Sequence, residues 1–159
     1  MDYDIYQDTD HNRPSCYKAF LNKFRTLQEA LSVGDGNFPY ETLVVDSMTT
    51  LQESMMREIQ GTNRTLAKNP TIAEWGMLIN NLQDILYKLT SLDCHVVVTA
   101  QEQIIQDDLT SEVMVLPLIS GKKLPDRLPL WFDEVYHTRV ERGTGGVAKY
   151  EIMTQSFGS

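Results

Sequence analysis

Thr42-Leu43-Val44-Val45-Asp46 is the stretch on which the fold turns: a β-branched and apolar run with turn residues before it and a carboxylate at its end. A run without apolar-polar alternation predicts a strand buried on both faces, the condition of a parallel sheet covered by helices. Downstream, Met48, Leu51, Met55 and Ile59 recur at helical spacing, and Gly61-Thr62-Asn63 supplies the stop. Thr71 and Glu74 have the spacing of a capping box just after Pro70. The stripe Trp75, Leu78, Leu82, Ile85, Leu86 and Leu89 continues that helix to about Leu92, with Trp75 expected in the core. Cys94 to Ala100, built on Val96-Val97-Val98, reads as a second buried strand. Strand, helix and strand in this order point to a parallel sheet with helical crossovers.

Upstream, Tyr17, Phe20, Leu21, Phe24, Leu27 and Leu31 set one apolar stripe on a helix that should stop at Gly34-Asp35-Gly36, and Ile5-Tyr6 has room for a brief strand. After Gln101 the pattern changes. Gln103 to Gln106 and Glu112 to Leu116 are expected to pair as a hairpin around Asp107-Asp108-Leu109-Thr110, and a short helix follows near Leu124 to Leu130, limited by Pro125 and Pro129. Asp133 to Val140 and Val147 to Thr154 alternate around Gly143-Thr144-Gly145-Gly146, the signature of an antiparallel hairpin.

At 159 residues and 18.2 kDa the chain fits one domain, residues 1–159, and its 42 % apolar and 23 % charged content is that of a folding globular protein. No apolar run approaches the ~20 residues a membrane helix needs, and the opening Met1-Asp2-Tyr3-Asp4 is unlike a secretion signal, so a cytoplasmic protein with reduced Cys16 and Cys94 is expected. The net charge of −8 and pI near 4.8 argue against non-specific affinity for a phosphate backbone, which rests on counterion release by Lys and Arg.

LVVDSMTTL, Leu43 to Leu51, resembles the Walker-B strand of RecA-like ATPases, in which an apolar strand ends in Asp-Ser before a helix. VVVTAQEQ, Val96 to Gln103, is similar to the neighbouring strand of the same family, whose polar tip senses the γ-phosphate. PLISGKKLPDRLPLWFDEV, Pro117 to Val135, is similar to a stretch of phage nucleotide-binding and single-strand-annealing ATPases. The resemblance implies an α/β fold: a three-layer RecA-like core with a mainly parallel sheet, plus a C-terminal antiparallel hairpin. It implies ATP and Mg²⁺ as cofactors, with Asp46 holding the magnesium through water, Gln101 as sensor, Glu102 as base for the attacking water, and Ser47 and Lys122 against the nucleotide. It also implies a homo-oligomer or a protein partner, single-stranded DNA bound in a complete assembly, and work in the cytoplasm of a phage-infected bacterium. The first hairpin stands where RecA-like recombinases place a DNA-binding loop.

One departure is decisive for activity. A P-loop needs Gly-x-x-x-x-Gly-Lys-Ser/Thr, because backbone amides must wrap the phosphates, Lys must reach the terminal ones and the hydroxyl must hold magnesium. Gly121-Lys122 is followed by Lys123 and has no glycine five positions before it. The expected core therefore lacks its P-loop strand, which in the family lies beside Val96 to Val98. Three fillings are open: a missing N-terminal part, a shifted Ile5 strand or final hairpin, or a second copy on the open edge.

Each signal has a plainer reading. Asp46 and Ser47 also suit a helix cap, Gln101 and Glu102 also suit a strand leaving the core, and Lys122, Lys123 and Arg127 also suit a solvated surface. His11, His95 and His137 offer no metal-ligand spacing with the two cysteines. Trp131-Phe132, if on a strand, would send one ring outward. Two functions compete: an ATPase-family recombination protein, inactive alone, and a non-catalytic phage-encoded interaction protein or inhibitor derived from this fold.

Overall fold

The computed structural model describes residues 2–10, 12–32, 40–106, 113–121, 124–143 and 148–153. The expected helix stop at Gly34-Asp35-Gly36, the first hairpin's tip, Lys122 and the Gly145-Gly146 turn lie outside them.

Helix α1 (Cys16–Ser32) has no acidic residue in its first turn. The acid comes from upstream: the Asp8 carboxylate accepts the backbone N–H groups of Ser15 (2.7 Å) and Cys16 (2.8 Å), satisfying donors that the helix cannot pair itself. Around Ile5-Tyr6 the chain forms no strand, and Tyr6 stands edge-on to Phe20 at 6.2 Å. Tyr17 and Phe24 carry the inward face of α1 into the core.

Strand β1 (Thr42–Val45) leads into α2 (Met48–Asn63), then come α3 (Ile72–Thr90) and β2 (His95–Val98). β1 and β2 are parallel, with Leu43 opposite Val96 and Val45 opposite Val98. The helical stripes meet as the sequence indicates, and Met48, Met55, Leu82 and Leu89 are fully buried. Two antiparallel hairpins follow: β3 (Glu102–Gln106) with β4 (Val113–Pro117), and β5 (His137–Arg142) with β6 (Ala148–Met153). Between them lie a short helix α4 (Leu124–Arg127) and a 3₁₀ turn, Leu128–Trp131. The fold is mixed α/β, with one parallel pair and two hairpins among the described residues.

Three expectations are corrected. The β1–β2 pair is not buried on both faces: Leu43, Val45, Val96 and Val98 pack on the helical core, whereas Val44 and Val97 are 57 % and 47 % exposed on the other. Trp75 is 40 % exposed, because the inward position at the start of α3 is taken by Glu74, 2 % exposed. Trp131 and Phe132 both pack against the core, since the backbone there is a 3₁₀ turn rather than a strand, and Trp131 meets Tyr87 edge-on at 4.1 Å.

Glu74 completes a capping box with Thr71, and the same carboxylate ties down the α2–α3 loop. It accepts from the Thr65 hydroxyl, the Asn63 amide (3.1 Å), the Thr71 N–H (2.8 Å) and the Thr71 hydroxyl (3.0 Å). These donors, the Thr65 hydroxyl foremost, favour the ionised form and hold its pKa at about 2 against an ordinary 4.5. A pKa depressed on folding contributes stability that is present above the unfolded value and is lost as pH falls through the folded one. Glu74→Gln should melt below the parent at neutral pH, and the gap should close between about pH 5 and about pH 2, where the parent carboxyl also becomes neutral. Thermal melts of both proteins by circular dichroism check this; a gap constant with pH would contradict it.

Candidate functional site

Parallel register brings the candidate residues together. Val45 is opposite Val98, so the next residues along each strand, Asp46 and Thr99, lie side by side at the strands' C-terminal ends. The ladder continues there: Thr99 N–H donates to the Val45 carbonyl (3.0 Å) and Met48 N–H to the Thr99 carbonyl (2.8 Å). The Thr99 hydroxyl donates to Asp46 Oδ1, holding an otherwise exposed carboxylate at the rim. The Asp46–Ser47 peptide is cis. Ser47, not Asp46, caps α2, forming a reciprocal box with Thr50, and the Thr50 hydroxyl also bonds the Ser47 carbonyl (3.0 Å). The Ser47 side chain is thus committed to the helix end.

Gln101 stands on the same rim with an exposed side chain and a fixed backbone. Its N–H donates to the Thr49 hydroxyl (3.0 Å), and its carbonyl accepts from Leu118 N–H (2.6 Å). The Thr49 hydroxyl donates to the Leu118 carbonyl (3.2 Å), which also accepts from the Gln52 side chain (3.1 Å), whose own oxygen takes Ser120 N–H (2.7 Å). Thr49 and Gln52 are 2 % and 6 % exposed, so α2 locks the chain at Gln101 and the segment before Gly121 into one unit. Gly121 has φ +105°, and a side chain there would press on Ile79 at 3.2 Å.

Glu102 opens β3 and its carboxylate lies 3.2 Å from His137 Nδ1 on β5. An open cleft of about 400 Å³ is lined here by Ala100, Gln101, Glu102, Tyr136, His137 and Thr138. Sequence reading singled out Asp46, Ser47, Gln101 and Glu102, and the first three share the rim while Glu102 begins the hairpin. It missed Thr99, Thr49, Gln52 and His137. Thr99 was within reach, since aligning LVVD with VVVT in register sets it beside Asp46.

A family model described as an AAA domain matches residues 3–156. The chain belongs to the AAA domain family. No curated protein and no solved structure matches it. Membership carries a P-loop-NTPase-like, nucleotide-binding fold, and AAA domains in general use ATP and magnesium. The rim fits part of that requirement: Asp46 is a hard oxygen donor suited to magnesium, an ion that usually takes one or two carboxylates and completes its shell with water and phosphate. Among the described residues no group of three or more His, Cys, Asp or Glu side chains gathers to hold a metal by itself. The pattern Gly-x-x-x-x-Gly-Lys-Ser/Thr does not occur in this sequence, and Asp46 and Gln101 by themselves do not make a phosphate cradle. No helix among the described residues is long and apolar enough to cross a membrane.

Proposed function

We propose that this chain is the Walker-B half of a RecA-like ATPase of phage DNA recombination, acting in the cytoplasm of an infected bacterium. In this reading residues 1–159 belong to a single domain whose three-layer core is completed by a strand, phosphate loop and helix from outside this sequence. One juxtaposition carries it: Asp46 and Gln101 at a common C-terminal rim of a parallel pair, the place where open α/β sheets take ligands. The bare face bearing Val44 and Val97 supports it too, since parallel strands are ordinarily covered on both faces.

Magnesium and ATP, when bound, supply a charge-neutralised terminal phosphate open to in-line attack by water. Asp46 is the residue to hold the ion through water, kept in place by Thr99. The Gln101 amide orients the attacking water or reports the nucleotide state, while Thr49 and Leu118 fix its backbone. Glu102 would serve as the base for that water, its carboxylate 3.2 Å from His137 Nδ1 across the cleft. Lys122 would contact the nucleotide, whereas Ser47, its side chain committed to the α2 cap, contributes by closing that helix at the rim. ATP would be held between subunits of a homo-oligomer, and the complete assembly would engage single-stranded DNA. The chain alone shows no turnover.

Titration with a fluorescent ATP analogue and magnesium tests this. Saturable binding at micromolar protein once a segment carrying the phosphate loop is supplied, abolished by Asp46→Ala, is the expected result. Absence of binding in that completed assembly, with the chain running as a stable dimer or joining a protein partner, overturns it in favour of a non-catalytic interaction protein. That second reading draws on the net charge of −8 and on a sequence without the phosphate loop.

A further inference from the structure

Residues 2–8 form no strand or helix, yet every second side chain is engaged on α1 or just ahead of β1. The Tyr40 hydroxyl donates to Asp2 (3.1 Å), Lys23 pairs with Asp4 (3.2 Å), Tyr6 stands edge-on to Phe20, and Asp8 accepts the first N–H groups of α1. The residues between them face solvent: Tyr3 is 79 % and Ile5 71 % exposed, and Gln7 is exposed too. Such alternation marks an extended segment laid on a surface. The surface suits it, because Lys23 and the positive end of the α1 dipole stand where carboxylates fall, with an aromatic ring between them.

The hold is light. Among the described residues no backbone–backbone hydrogen bond ties 2–8 to the body, and the Asp4–Lys23 pair is about half exposed on both sides, where an ion pair contributes little. Asp8 and Ser15 are seven residues apart, a link that reaches ~25 Å when extended. We infer that residues 2–8 are an exchangeable strap, independent of nucleotide binding at Asp46: released from its own groove, the strap seats on α1 and Tyr40 of a second copy through the same four contacts, and that copy's strap returns the exchange. The match selects a second copy, since strap and groove are complementary in a sequence that every copy carries. Although the chain is at −8, this contact sets acid on base. A strap in place holds its own groove at high effective concentration, so exchange shows itself when that strap is disabled.

Two full-length variants test this. Asp4→Lys/Tyr6→Ala/Asp8→Ala disables the strap and keeps the groove, whereas Lys23→Glu keeps the strap and spoils the groove. In fluorescence anisotropy a labelled peptide of residues 2–8 should saturate the first variant at least about tenfold tighter than the parent, whose groove is filled. A scrambled peptide of the same composition should bind that variant at least about tenfold more weakly. In sedimentation velocity the equimolar mixture of the two variants should associate at least about tenfold tighter than either alone, because only the mixture holds a native strap and a native groove. Thermal melts show whether the triple variant folds, and if it does not, Asp4→Lys/Tyr6→Ala, which keeps the Asp8 cap on α1, takes its place in both measurements. A peptide that fails to bind the disabled variant, binds the parent equally well, or binds no better than its scrambled form overturns the proposal. A peptide that binds while the mixture stays unassociated overturns the second copy as the occupant, in favour of an acidic segment of another protein.

Discussion

Replacing Leu82 with alanine will lower the unfolding free energy by about 2–5 kcal/mol, the range for a buried leucine cut back to its Cβ. Leu82 lies mid-way along α3 and is fully buried, in a core that includes Leu78, Ile85, Leu86 and Met55. Two effects add: the lost transfer of the removed carbons from water, and the unfilled space where neighbours relax only in part. Backbone propensity cannot account for the loss, because alanine is the better helix former. With domains of this kind stable by about 5–15 kcal/mol, the single change removes a large share of the total. Ile72 supplies the control, on the same helix but 92 % exposed, and Ile72→Ala should stay within about 0.5 kcal/mol of the parent. Urea unfolding followed by circular dichroism measures both. A Leu82→Ala loss below about 1 kcal/mol would mean that α3 does not pack on α2 as described.

What made Leu82 legible is periodicity, and the same holds for most of the elements. The runs at Thr42 to Val45 and Val96 to Val98 announce strands, their apolar content and helical crossover point to the parallel pairing observed, and the C-terminal alternation announces β5 and β6. At Trp75 the reading failed because a polar residue had taken an apolar residue's place. Trp75 sits on the stripe, yet Glu74 turns inward because its carboxylate has four donors waiting in the α2–α3 loop, and hydrogen bonding outweighs the burial of one indole. The capping-box spacing announces the Thr71 donors, but nothing in it announces Asn63 and Thr65, which look like ordinary loop residues. The strands at Val44 and Val97 read as doubly buried because apolar content reports what a face wants to touch, not whether anything in the chain touches it.

Thr49 and Gln52 were illegible for the same reason, and their substitution carries the other large effect. Both lie on the inner side of α2 among Met48, Leu51 and Met55, and both serve the Leu118 carbonyl. Thr49→Val keeps the shape but strands the Gln101 N–H, and Gln52→Leu strands the Ser120 N–H, so each should cost about 1–3 kcal/mol. In either single variant the Leu118 carbonyl keeps one donor. In the double variant it keeps neither, so the combined loss should exceed the sum of the two by about 0.5–3 kcal/mol. Hydrogen exchange at Gln101 and Leu118 should rise in Thr49→Val well before the core amides of α3 respond, because the rim opens locally. Strict additivity in the unfolding cycle would mean that water satisfies Leu118 as readily as the two side chains do. Gln101 would then be set beside Asp46 by the strand alone, and the helix that starts at the rim would have no part in holding it there.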